Sequence, residues 1–125
     1  MNKKRIMIVD DEAPFTRLLK LSLEQTGRYA VQVENNPQGA VRAAKQFVPD
    51  LVLMDVMMPG IDGGTLATQF QASAQLERVP IVFLTAAVKR EEVRAHQGQI
   101  GGLPFLAKPV DLREVTQCLQ RHLGA

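Results

Sequence analysis

Asp10, Asp11, Asp55, Thr85 and Lys108 are the residues whose types and positions suggest chemistry. Each closes or directly follows a short apolar run, so a fold that aligned those runs would gather three carboxylates, a hydroxyl and an ammonium. Carboxylates drawn together repel one another and either raise a pKa or demand a cation. An all-oxygen acidic cluster suits a hard ion such as Mg²⁺, which binds through one or two carboxylates and keeps waters or phosphate oxygens as its other ligands. With a lysine and a hydroxyl around one carboxylate, charge on a transferring phosphoryl group is neutralised from several sides, so the chemistry implied is phosphoryl acceptance. Taken singly, each residue has a duller role. Asp11 suits the N-cap of a following helix, Asp55 a strand-end turn, Thr85 a β-branched strand terminator and Lys108 a solvated surface. Their joint placement argues against four unrelated coincidences.

The elements that must position them are legible in the apolar pattern. Ile6–Val9, Tyr29–Val33, Leu51–Met54, Ile81–Leu84 and Leu103–Ala107 read as strands. The first, third and fourth lack polar alternation, as strands buried on both faces of a parallel sheet do, whereas Val31 and Val33 alternate with Gln32 and Glu34 as on an edge strand. Between the runs lie helical segments. Pro14–Gln25 places Phe15, Leu18 and Leu19 on one side and meets Gly27 as a stop. Asn36-Pro37 supplies a capping residue and a proline at the first helical position, and Pro49 ends the segment. Helices are expected over Gly64–Ala72 and Lys89–Gln97. A last helix is expected after Asp111 and Glu114, which stand in capping-box spacing before Leu112, Val115, Leu119 and Leu123. Strand and helix alternate five times with short connections, which implies an α/β domain whose parallel sheet is joined by right-handed crossovers. In such a sheet, ligands bind outside the carboxyl ends of the strands, where the five residues lie.

Bulk properties bound the alternatives. The 125 residues, 46% hydrophobic and 22% charged, suffice for one domain with one core. A net charge of +2 is small and dispersed, and the one cationic cluster, Lys3-Lys4-Arg5, reads as a solvated lead-in to the first strand. Neither nucleic acid nor membrane binding is expected. No segment approaches the roughly 18 apolar residues of a bilayer span, and the N-terminus lacks a signal-peptide core, so a cytoplasmic protein is expected. Cys118, the single cysteine, reads as a reduced, inert thiol.

Several strings resemble the receiver domains of two-component response regulators, including the stand-alone chemotaxis type. The most specific is Asp55-Val56-Met57-Met58-Pro59-Gly60-Ile61-Asp62-Gly63, and Ile8-Val9-Asp10-Asp11-Glu12, Leu84-Thr85-Ala86 and Lys108-Pro109 follow the family's order. The resemblance spans nearly the whole chain, so residues 1–125 are expected to form a single receiver domain with no output domain. It implies a flavodoxin-like doubly wound fold, a five-stranded parallel sheet in the order 2-1-3-4-5 with five helices on both faces. It also implies that Asp55 is the phospho-acceptor, attacking the phosphohistidine of a sensor histidine kinase or a histidine phosphotransfer protein. Mg²⁺ (or Mn²⁺) would be held by Asp10, Asp11, Asp55 and the backbone carbonyl of Met57, while Thr85 and Lys108 would bind the phosphoryl group. Thr85 and Phe105 would form a switch toward the face made by the fourth helix, fifth strand and fifth helix, and thereby toward a downstream protein target. A cis peptide before Pro109 is implied as well. Homodimerisation through that face is compatible with the resemblance.

The departures are also specific. Phenylalanine stands at position 105, where tyrosine is frequent, so any switch must work through packing alone. Gly101-Gly102-Leu103-Pro104 replaces the usual polar residues. Pro104 there removes a donor at the start of an edge strand, and Leu103 adds apolar surface to the partner face. Met57 and Ala87 flank the site without a polar side chain to orient water, which implies a long-lived aspartyl phosphate. A phosphohydrolase of the haloacid dehalogenase type is the rival enzyme reading. It would carry a second acid where Met57 stands, and without one no multiple-turnover enzyme is expected. A pseudo-receiver that never carries phosphate is the other rival, and the presence of all five site residues argues against it.

Overall fold

The computed structural model describes residues 3–86, 99–100 and 103–124. The elements in order are β1 (Lys4–Val9), α1 (Ala13–Gln25), β2 (Tyr29–Glu34), a 3₁₀ turn (Pro37–Gly39), α2 (Ala40–Phe47), β3 (Leu51–Asp55), α3 (Gly63–Gln71), β4 (Ile81–Thr85), β5 (Gln99–Ile100), β6 (Leu103–Ala107) and α4 (Leu112–Leu123). The sheet order is β2-β1-β3-β4-β6-β5. Its five longer strands are all parallel, in the expected order 2-1-3-4-5.

Two features depart from the expectation. The final parallel strand is not the sheet's outermost, because the two-residue β5 pairs antiparallel with its start, Gln99 opposite Pro104 and Ile100 opposite Leu103. Leu103 is half-buried against the core, so only part of its side chain adds apolar surface. The helix expected over Lys89–Gln97 lies outside the described residues, so the expected fifth helix is α4 here.

Period-two alternation divides the core. Met7, Val9, Val52, Met54, Phe83 and Phe105 point to one side, where Ala40 and Ala44 of α2 and Leu66 and Phe70 of α3 cover them. Ile6, Ile8, Leu51, Leu53, Val82 and Leu84 point to the other and meet Leu19 and Leu23 of α1 and Val115 and Leu119 of α4. Every residue of β3 and β4 is buried, which is why those runs show no alternation. Each fully buried large aliphatic side chain contributes roughly 1.5–3 kcal/mol relative to exposure.

Helix ends follow local chemistry. Asn36 Oδ1 accepts from the Gln38 N–H at 3.1 Å, yet the proline after it opens a 3₁₀ turn and α2 begins only at Ala40. Asp62 caps α3 by accepting from the Thr65 N–H at 2.7 Å, and that backbone hydrogen bond holds its carboxyl below the usual range. Asp111 caps α4, accepting from the Glu114 N–H at 2.7 Å. Asp11 caps nothing: the residue at the head of α1 is Glu12, whose side chain makes no capping bond.

Candidate functional site

β1 lies between β2 and β3, so strand order reverses beside β1, and the crevice at its carboxyl end is where a parallel sheet binds ligands. Asp10 follows β1 directly and is fully buried. Its N–H donates to the Glu34 carbonyl at 3.2 Å, its carbonyl accepts from Asn35 Nδ2 at 2.7 Å, and its Oδ1 accepts from the Glu12 N–H at 2.9 Å. Asn35 Nδ2 also donates to Thr16 Oγ1 at 3.0 Å, which ties this turn to α1. Asp55 is the last residue of β3 and is 5% exposed. Oδ1 of Asp55 accepts a long 3.4 Å hydrogen bond from the Met57 N–H.

Carboxylate oxygens of Asp10, Asp11 and Asp55 lie within 4.8 Å of one another, with Asp11 on the solvent side. Lys108 supplies the opposing charge. Its Nζ stands 2.7 Å from Asp10 Oδ2, 2.6 Å from Glu12 Oε1 and 3.8 Å from Asp55 Oδ2, and 4.6 Å from the centre of the Phe15 ring. One ammonium does not balance four acids. Burial, reinforced by the Asp10 charge, raises the Asp55 pKa from 3.8 to about 6, and Lys108 and the Met57 N–H only partly oppose this. Burial also works against the charged form of Lys108, but hydrogen bonds to Asp10 and Glu12 hold its pKa above the usual value. Clustered hard oxygen donors with negative charge to spare fit a divalent cation of the Mg²⁺ class.

The other expected residues fall around this rim. Thr85 closes β4, is 1% exposed and pairs in register with Ala107; its carbonyl accepts from the Lys108 N–H at 2.8 Å. The Lys108–Pro109 peptide is cis. Met57 is 68% exposed beside the acidic cluster. Phe105 is not at the rim but buried opposite Phe83 within the core cluster shared with α2 and α3. Ala87 lies outside the described residues.

Sequence reasoning missed four contributors. Glu12, exposed yet the shortest partner of Lys108, stood in plain view beside Asp10-Asp11. The Asn35–Thr16 link and the Phe15 ring depend on tertiary contact and left no local signal. Gly63 lay inside the acceptor string, but its reason is geometric: a Cβ there would stand 2.4 Å from the Asp55 carbonyl oxygen and 2.9 Å from Val56 Cα. Next to the rim, a groove of about 500 Å³ runs between α1 and the segment that leads from β6 into α4, lined by Phe15, Leu18, Lys108, Pro109 and Leu112 among others.

Known proteins resemble this chain in sequence and in fold. The family described as the response regulator receiver domain matches residues 6–120. The chain is 37% identical to the phosphate regulon transcriptional regulatory protein PhoB of Pseudomonas aeruginosa over 96% of its own length and 52% of that protein's. It is 35% identical to protein PilH of the same organism, covering 96% of this chain and 98% of PilH. The chain thus spans about half the length of the transcriptional regulators it matches and nearly all of PilH. Among solved structures, a receiver domain of a Pseudomonas aeruginosa sensor histidine kinase superposes with a TM-score of 0.81 at 30% identity, covering 99% of this chain and 100% of that one. That domain holds a magnesium ion in its active site cleft. A response regulator structure from Chloroflexus aurantiacus gives a TM-score of 0.83 at 28% identity, with 99% and 100% covered.

Proposed function

Because the chain belongs to the response regulator receiver domain family, we propose that it is a phosphorylation switch in which Asp55 accepts a phosphoryl group from the phosphohistidine of a sensor histidine kinase or histidine phosphotransfer protein. The observation that carries this reading is the rim itself: a buried strand-end carboxylate, two further acids within 4.8 Å and a lysine shared among them. Asp55 ionises at about pH 6 and so is the nucleophilic carboxylate at neutral pH. Asp10, Asp11, Asp55 and the Met57 carbonyl would hold Mg²⁺ (or Mn²⁺), which when bound supplies positive charge to the transferring phosphoryl oxygens. Lys108, already 3.8 Å from Asp55 Oδ2, adds charge from the protein side, and Thr85, which closes the neighbouring strand β4, would offer its hydroxyl to a phosphoryl oxygen.

Readout to a downstream protein target would pass through β6. Phe105 has no hydroxyl and is packed in the core, which supports a switch carried by packing alone. The apolar groove between α1 and the segment leading into α4 includes Lys108 in its lining and would give the phosphoryl donor a surface next to the acceptor. No helix among the described residues is long and apolar enough to cross a membrane.

Exposure to acetyl phosphate with Mg²⁺, followed by mass measurement, should add one phosphoryl group to the wild type. No addition is expected with Asp55→Asn or with the divalent ion chelated. A persistent gain in Asp55→Asn would remove Asp55 from the acceptor role. Lifetime is a separate expectation. Exposed Met57 offers no group to orient water, so Met57→Asn should shorten the half-life of the phosphorylated protein roughly tenfold, a small share of what positioning a reactant supplies. An equal half-life in the two proteins would show that position 57 does not control hydrolysis.

A further inference from the structure

Glu12 makes the shortest contact with the lysine of the rim, yet the acceptor chemistry gives it no part. It stands at the head of α1, where Ser, Thr, Asp or Asn usually caps a helix, and its side chain makes no capping bond. Its backbone is fixed: the N–H donates to Asp10 Oδ1 at 2.9 Å and the carbonyl accepts from the Thr16 N–H at 3.0 Å. The side chain, 58% exposed, reaches across the rim instead, and Oε1 accepts from Lys108 Nζ at 2.6 Å. The Lys108 side chain is only 10% exposed. Its other close partner is fully buried Asp10 at 2.7 Å, and the Phe15 ring covers a further side at 4.6 Å. Asp55 Oδ2, at 3.8 Å, is within ion-pair range of the same ammonium but beyond hydrogen-bond reach.

We propose that Glu12 is a positioning residue that restrains Lys108 in the unphosphorylated protein and releases it to the phosphoryl group arriving on Asp55. This role rests on Asp55 being the acceptor. A carboxylate at 2.6 Å offsets much of the charge that Lys108 could offer to phosphoryl oxygens, and a charge-assisted bond must loosen before the ammonium turns to a new partner. Of the two close partners, Glu12 is the one able to let go. Asp10 is buried with its N–H, carbonyl and Oδ1 all bonded, whereas the exposed Glu12 carboxylate meets water once Lys108 leaves. In the transfer, an Asp55 carboxylate oxygen bonds to phosphorus as the bond from phosphorus to the donor breaks, and the electron pair leaves with the donor. No proton is required of Glu12 or Lys108, which only part company.

The test compares Glu12→Gln with the wild type, each as the full chain, in the rate of phosphoryl uptake from acetyl phosphate at saturating Mg²⁺. The amide keeps the size of the side chain but holds an ammonium less strongly, so uptake should be about fivefold faster. A gain in rate is not what a damaged fold produces. A second measurement follows the Lys108 ε-carbon by NMR before and after phosphorylation. Its shift should differ between the two proteins before and coincide after, because the lysine has then left position 12 in both. An equal or slower rate in Glu12→Gln, or a difference in the Lys108 signal that persists after phosphorylation, would overturn the proposal and leave Asp55 as the acceptor. A wild type that takes up no phosphoryl group would remove the acceptor reading and this role with it.

Discussion

Replacing Asp55 with asparagine should stabilise the metal-free protein at pH 8 by on the order of 2 kcal/mol, and the gain should vanish as the pH falls below about 4. The sign follows from the pKa, which rises from 3.8 to about 6 on folding. Between those values the folded protein keeps a proton that the unfolded chain releases, so the stability associated with Asp55 is complete below 3.8 and is lost as the pH rises through 6. Above that window the loss is constant. The rise from 3.8 to about 6 corresponds to about 3 kcal/mol, which solvent screening at a rim open beside exposed Asp11 reduces. Asparagine carries no charge and keeps a carbonyl to accept from the Met57 N–H, while Lys108 retains Asp10 and Glu12. Urea unfolding of both proteins at pH 8 and pH 4, with chelator present, measures the gap directly. A gap of the same size at both pH values would mean that repulsion at Asp55 is not its source. Adding Mg²⁺ at pH 8 should narrow the gap, because a ligand of the native state stabilises the protein that binds it more tightly.

Gly63→Ala should destabilise the protein by about 3 kcal/mol, at the upper end of what overpacking a close-packed site costs. The added methyl would meet the Asp55 carbonyl oxygen at 2.4 Å and Val56 Cα at 2.9 Å, both of them backbone atoms that no side-chain rotation can move aside. The Gly63 N–H also donates to the Val56 carbonyl at 2.7 Å, so α3 starts in direct contact with the backbone that carries the acceptor. Relief therefore requires either α3 or the end of β3 to shift, and a displacement there moves Asp55 relative to Asp10 and Lys108. Slower uptake of phosphate from acetyl phosphate should accompany the lost stability. Gly64→Ala is the matched control. Its Cβ would press only on the Asp62 side chain at 3.3 Å, and alanine is the better helix former, so the net change should stay within about 1 kcal/mol. Equal losses for the two substitutions would refute the close-approach explanation and leave only a general intolerance of the helix start.

Burial pattern and cap chemistry made most of the fold legible from residues alone. β1, β3 and β4 read as doubly buried strands because every side chain in Leu51–Asp55 and Ile81–Thr85 faces a packed layer, and Asp111 announced α4 through a local hydrogen bond to the Glu114 N–H. Asp10, Asp11, Asp55 and Lys108 were legible for a related reason: a parallel sheet brings all strand carboxyl ends to one rim, so position at a strand end predicts convergence. What the sequence alone determined was therefore the five parallel strands, the helices of the described residues apart from the 3₁₀ turn before α2, and every charged group of the rim except Glu12, all of which rest on periodicity and near-neighbour chemistry.

Tertiary structure decided the rest. Lys108 lies 98 positions from Asp10 and 96 from Glu12, and which acids share it depends on side-chain reach across the rim. The edge cover by β5 and the turn of Leu103 toward the core reflect pairing between segments whose alternation is too short to read. The close seat of Gly63 on Asp55 and the burial of Phe105 opposite Phe83 are packing facts. No local pattern encodes them, because they depend on distances between chain segments that only the folded core sets.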